Sequence, residues 1–124
     1  MTIQECYERM GADYNDVISR LRSDRLVKKF ALKFPADGSC RELSDALAEG
    51  DNTRAFRAAH TMKGVCRNLG FARLAVPVEA LTEVLRPGHE AELASADLHA
   101  MFAAVQKEYA LTLETIKAFE AEQE

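Results

Sequence analysis

Residues 53–70, TRAFRAAHTMKGVCRNLG, read as one amphipathic helix, and the rest of the chain has to be arranged around it. Wound at about 100° per residue with His60 as the zero direction, Ala55, Ala58, Ala59, Met62, Val65, Cys66 and Leu69 fall between roughly 140° and 260°. That is the buried side. Thr53, Phe56, Arg57, Lys63, Gly64 and Arg67 lie within about 60° of the histidine, so His60 stands on the wet face among cations.

Such a placement needs a chemical reason. A glycine inside a helix costs on the order of 1 kcal/mol relative to alanine, and Gly64 is understood if something must approach the imidazole closely. Lys63 and Arg67 supply charge-assisted donors to an anion in the cleared space, and phosphate is the anion for which a nucleophilic imidazole is an apt acceptor. The spacing describes a phosphorylatable histidine.

Residues 59–71, AHTMKGVCRNLGF, resemble the signature of histidine-containing phosphotransfer (HPt) domains. His60, the lysine three later (Lys63), Gly64 directly after it, and the pair Leu69 and Gly70 match the family pattern. Val65 and Cys66 stand where family members often carry small residues; both fall on the buried face, which predicts altered packing with the chemistry kept. The resemblance implies an all-helical layout over nearly the whole chain.

Composition agrees with that layout. The 124 residues form a chain long enough to bury a core without disulfides or metal, and alanine, leucine and charged residues dominate, with no tryptophan and three prolines. Three cysteines, Cys6, Cys40 and Cys66, at no metal-ligand spacing predict reduced thiols in the cytoplasm. Neither a signal peptide nor a bilayer-length apolar run is present in the sequence, so no membrane association is expected. A net charge of −4 argues against nucleic-acid binding, while Arg54, Arg57, Lys63 and Arg67 concentrate positive charge on one helix, where a partner with an acidic pocket would be steered.

Element by element, Thr2 and Glu5 make a capping box for a helix carrying Ile3, Cys6 and Met10, which Gly11 ends. A second begins near Asp13 with Tyr14, Val17, Ile18 and Leu21, and a third after Ser23 with Leu26, Val27, Phe30 and Phe34 on one side. Pro35 and Gly38 kink or break the chain, after which Ser39 and Glu42 form a second capping box and Cys40, Leu43 and Leu47 mark an inner face. Gly50 stops that helix just before Asp51 caps the histidine helix. Phe71, Leu74, Val78, Leu81 and Leu85 keep helical spacing across Pro77, so one helix is expected there, kinked if it starts at Phe71. Pro87 and Gly88 end it. The last helix starts between His89 and Asp97, with Leu98, Met101, Phe102, Val105, Tyr109, Leu113 and Ile116 inward. The expected fold is all-α, an antiparallel four-helix bundle preceded by short N-terminal helices, in one domain over residues 1–124: cover helices in 1–22 and the bundle in 23–122.

There is no Gly-rich phosphate loop, so His60 would receive its phosphoryl group from another phosphoprotein. The expected function is a stoichiometric phosphocarrier, not a kinase, that passes a phosphoryl group between receiver-domain aspartates of response regulators and a hybrid sensor histidine kinase. By resemblance, His60 is the phosphoacceptor, Lys63 stabilises the phosphoryl oxygens, Gly64 gives access, and the receiver brings Mg²⁺. Arg57 and Arg67 serve docking, and Phe56, exposed beside the histidine, offers apolar contact area. A monomer is the default for a bundle that buries its own core. Two other readings compete: a helical adaptor that binds a receiver or kinase without carrying phosphate, and the substrate of a kinase in trans. The second would be favoured by an attached dimerisation and ATP-binding region, which the sequence lacks, so a freestanding relay protein is expected. His89 and His99 have no comparable context and are expected to be a turn residue and a surface residue, with no metal site.

Overall fold

Side-chain caps set most of the helix starts. Thr2 and Glu5 form the reciprocal box that begins α1 (Ile3–Met10): the Thr2 hydroxyl accepts from the Glu5 N–H at 3.1 Å, and the Glu5 carboxylate accepts from the Thr2 N–H at 2.9 Å. Asp13 caps α2 (Tyr14–Leu21), and Ser23 caps α3 (Asp24–Lys33). Asp51 caps α5 (Asn52–Leu69), and Asp97 caps α8 (Leu98–Ala121). In the computed structural model, which describes residues 1–123, every regular element is a helix.

Pro35 produces a true break. Phe34–Ala36 tightens into a single 3-10 turn, and α4 (Ser39–Glu49) starts afresh beyond it. The capping box expected at Ser39 and Glu42 does not form. Asp37 takes that role, accepting from the Ser39 N–H at 3.0 Å and from the Ser39 hydroxyl, while the Glu42 carboxylate pairs with Arg54. α6 (Ala72–Leu85) runs continuously through Pro77 with Phe71 as its N-cap. The last segment divides, because extended backbone at Ala96 separates the short α7 (Glu90–Ser95) from α8.

Helices α4, α5, α6 and α8 form the antiparallel bundle, with α5 between α4 and α6, and α6 packed on α8. α1 lies against α8 and α3, and α3 also packs on α5 and α8. Aromatic rings link these layers. Phe71, at the junction of α5 and α6, meets Tyr7 of α1 at 5.7 Å and Phe34 at 5.0 Å, and Phe34 meets Tyr109 of α8 at 5.7 Å.

Some side chains face differently from the sequence expectation. On α3 the buried row is Val27 and Ala31, continued by Phe34 of the 3-10 turn, which turns Phe30 outward to 37% exposure under the Lys33 ammonium. Val65 is half-buried, at the edge of a groove it shares with Leu21, Phe30 and Leu69. On α8 only Val105 and Ile116 of the expected stripe are fully buried, joined by Thr112, Thr115 and Phe119. The two threonines are admissible there because their hydroxyls donate to the carbonyls of Glu108 and Leu111 at 2.9 and 2.8 Å.

The N-terminal helices are fastened to the C-terminal end of α5. The Tyr7 hydroxyl donates to the Leu69 carbonyl at 2.7 Å, the Asp13 N–H donates to the Gly70 carbonyl at 2.7 Å, and the Arg20 guanidinium reaches the carbonyls of Arg67 and Asn68. Arg20 is itself held by both oxygens of Asp16 at 2.7 and 2.8 Å. Gly70 makes this approach possible: its φ is +71°, and a Cβ there would stand 2.6 Å from the Asp13 carbonyl oxygen. Gly50 shares the positive φ with open space around it. Gly70→Ala therefore should cost on the order of 3 kcal/mol and Gly50→Ala about 1 kcal/mol, measured by urea unfolding. Equal losses would mean that the close packing at Gly70 contributes nothing.

All three cysteines are buried, and burial pushes the thiols of Cys6 and Cys40 up to about 11 and that of Cys66 to about 12. Above pH 9.0, the ordinary thiol value, the unfolded chain releases these protons while the folded chain keeps them. Their contribution to stability is therefore complete below that pH and is lost as pH rises toward 11–12, by up to about 1.4 kcal/mol per pH unit for each thiol. Urea midpoints that fall across this alkaline window, and fall less steeply in Cys66→Ala, would show the linkage; a flat profile would refute it.

Candidate phosphoryl-acceptor site

The rotation of α5 about its axis places everything at this site. Ala55, Ala58, Ala59, Met62, Cys66 and Leu69 are buried against the neighbouring helices, which leaves His60 and Thr61 exposed. The small residues on the buried face let α4 and α6 approach closely, so the helix cannot turn without driving charged side chains into the core. His60 is thus held outward by packing on the opposite side of its own helix.

Phe56, one turn earlier, stacks on the imidazole, with ring centroids 5.8 Å apart and planes inclined by 24°. It is half-buried, contrary to the expectation of an exposed contact residue. The guanidinium of Arg86, at the end of α6, lies over the same phenyl ring at 5.3 Å. Arg86 is in turn bound by Glu83, at 2.8 and 3.2 Å. The Arg86 hydrogen bonds hold the Glu83 carboxyl below the usual carboxylate range, with further lowering from Lys63 and His89.

The cations along α5 separate into two kinds. Arg54 is engaged by Glu42 and Glu49 of α4, and Arg67 by Glu79 of α6 at 2.6 Å, so both tie the histidine helix to its neighbours. Among the described residues, Arg57 and Lys63 have no ion-pair partner; Arg57 is exposed and Lys63 half-buried. Among the described residues, nothing beyond its chain neighbours and the backbone of its own helix lies within 4 Å of where a Gly64 Cβ would sit, and its φ is not in the left-handed region. Neither backbone conformation nor tertiary crowding demands a glycine there.

His60, Lys63, Gly64, Phe56, Arg57 and Arg67 thus share one face of α5, with Arg67 already occupied by a carboxylate. Arg86 and Glu83 are the neighbours of the candidate site that sequence reasoning missed. A signal existed: an antiparallel hairpin turning at Gly70 pairs residues equally far on either side, which brings Phe56 to the end of α6. His89 occupies the N-cap position of α7 without a side-chain cap hydrogen bond, its Nδ1 3.2 Å from the Glu92 carboxylate, and His99 is exposed on α8. No group of three or more His, Cys, Asp or Glu side chains among the described residues is placed to hold a metal ion. No helix of the described residues is long and apolar enough to cross a membrane.

Comparison with curated proteins and with solved structures gives no match. The family model of the Hpt domain matches residues 36–115, from the 3-10 turn through most of α8, with α1, α2 and α3 outside the matched span. An all-helical bundle with a lone exposed histidine, an adjoining lysine and an open glycine on one helix is the arrangement found, and the chain belongs to the Hpt domain family, the histidine-phosphotransfer modules of two-component signalling.

Proposed function

We propose that this protein carries a phosphoryl group on Nε2 of His60 and passes it between aspartates of receiver domains, those of response regulators and of a hybrid sensor kinase. The observation that carries the reading is the conjunction on α5 of an exposed imidazole, an ammonium at Lys63 without an ion-pair partner among the described residues, and a helix glycine at Gly64 that the fold itself does not require.

The chemistry follows from these groups. Neutral His60 attacks the phosphorus of an aspartyl phosphate in line; the P–O bond to the aspartate breaks as the N–P bond forms, and the carboxylate leaves with the electron pair. The ring passes through its imidazolium form and returns a proton to solvent from Nδ1. Charge in the loose transition state sits on the equatorial oxygens, where Lys63 serves as counter-charge. Gly64 lets the receiver's aspartate come close, Arg57 adds field and a docking contact, Arg67, whose charge Glu79 neutralises, adds a docking contact alone, and Phe56 fixes the plane of the ring it stacks on. Mg²⁺ comes with the receiver in this reading. The protein acts as a monomer in the cytoplasm, where reduced thiols and receiver partners occur together.

Incubation with a panel of phosphorylated receivers should place acid-labile, base-stable label on the wild-type protein and none on His60→Gln, whose circular dichroism stays unchanged because the side chain is exposed. Label that persists on His60→Gln, or wild type that accepts none from any receiver, overturns the proposal; the latter favours an adaptor that binds without carrying phosphate.

Gly64→Ala separates function from fold. It should stabilise the isolated protein by about 0.5–1 kcal/mol in urea unfolding, since a methyl group meets open space, and still slow phosphoryl acceptance by roughly tenfold or more. Unimpaired acceptance would show that the glycine does not serve the approach of a partner.

A further inference from the structure

We propose that Glu83 and Arg86, at the C-terminal end of α6, set how firmly His60 holds a phosphoryl group, Arg86 as a positioning cation for the phosphoryl oxygens and Glu83 as the anion that competes with them. The proposal rests on the phosphocarrier reading and deepens it.

Three observations converge. Arg86 lies over Phe56 at 5.3 Å, and Phe56 stacks on His60 at 5.8 Å, so the guanidinium is no farther from the imidazole than those two spans laid end to end. A flexible arginine can cover part of that gap by rotating about its side-chain bonds, and the phosphoryl group covers part from the other side. Second, the guanidinium is not idle: Glu83 engages its Nε and an Nη at 3.2 and 2.8 Å, in a pair exposed enough to exchange partners readily. Third, Glu83 also feels Lys63, the ammonium next to Gly64, so a single carboxylate sits in the field of two cations on the histidine's side of the molecule.

Without phosphate on His60, Glu83 supplies the negative charge that Arg86 and Lys63 would otherwise lack. A phosphoryl group on Nε2 brings about two negative charges into the same field, and Arg86 can exchange one anion for the other. The energy gained at the phosphoryl group is thereby offset by the contact given up at Glu83. A carrier that must release its cargo to an aspartate benefits from this offset, because a cation with no competing anion would favour retention over transfer. Phe56 supplies the surface on which the guanidinium slides, since a planar cation keeps its stacking over a phenyl face through small displacements.

The test uses the intact protein labelled on histidine by phosphoramidate, followed by loss of label with time, and separately the equilibrium division of phosphate between it and a receiver. Glu83→Gln should lengthen the label's lifetime and shift the division toward this protein several-fold. Arg86→Gln should do the opposite by roughly tenfold, with Arg86→Lys restoring most of the effect through charge alone. Raising the salt concentration should shrink the difference between wild type and Arg86→Gln, which a purely structural role for the arginine would not produce. Lifetimes and divisions within twofold of wild type in all three variants, on a wild-type protein that does label at His60, overturn the role of the pair and leave the phosphocarrier reading standing. Wild type that labels with neither phosphoramidate nor a receiver overturns both.

Discussion

The junction of α5 and α6 is the constraint on which the rest depends. Within a few residues the chain must end one long helix, reverse, and begin another, leaving the last carbonyls of α5 without intrahelical partners. Four groups from three segments satisfy and cover them: Tyr7 of α1, Asp13 and Arg20 of α2 and its cap, and the backbone N–H of Phe71, which donates to the Cys66 carbonyl at 2.9 Å. Arg20 adds a positive charge where the helix dipole is negative. The result reaches the candidate site. With its C-terminal end clamped and its start capped by Asp51, α5 can neither unwind nor rotate by a residue, a step of about 100° that would move His60 toward the core.

Electrostatics at the site follow from which cations the fold consumes. Exposed ion pairs contribute little to stability, so the pairing of Arg54 with α4 and of Arg67 with α6 matters less as cement than as a way of neutralising charge beside the histidine. What remains is Arg57 and Lys63 on either side of an imidazole, with Arg86 held at short range by Glu83. An acidic protein of net charge −4 can in this way offer a small positive field to a carboxylate-lined partner while staying negative elsewhere.

Much of this was legible in the sequence, for definable reasons. The bundle followed from helical spacing, the caps at Thr2, Asp13, Ser23 and Asp51 from local chemistry, and the outward histidine from counting residues around one helix. The failures arose where a tertiary contact or a competing local hydrogen bond overrode the expected pattern. Ser39 and Glu42 have the spacing of a capping box, but Asp37 reaches the same N–H first and Arg54 claims the glutamate from another helix. Phe30 belongs to the apolar periodicity of α3, yet Val27, Ala31 and Phe34 already fill the space against the bundle. Thr112 and Thr115 look polar in sequence and are buried because each bonds its own helix. Arg86 carries no motif and gains meaning only from the hairpin that folds α6 back along α5.

Gly64 and Gly70 show how one residue type records two different demands. At Gly70 the demand is internal and visible: a left-handed backbone, with the Asp13 carbonyl 2.6 Å from where a Cβ would be. At Gly64 the backbone is ordinary helix and no side chain among the described residues occupies the vacant position, so the fold would be more stable with alanine. A cost in stability that no internal contact returns is what a site built for a second molecule looks like. The same logic applies to Lys63, which has no ion-pair partner among the described residues although Glu83 lies within its field. In the proposed reading, a partner that brings an anion to the imidazole is what completes the face around His60.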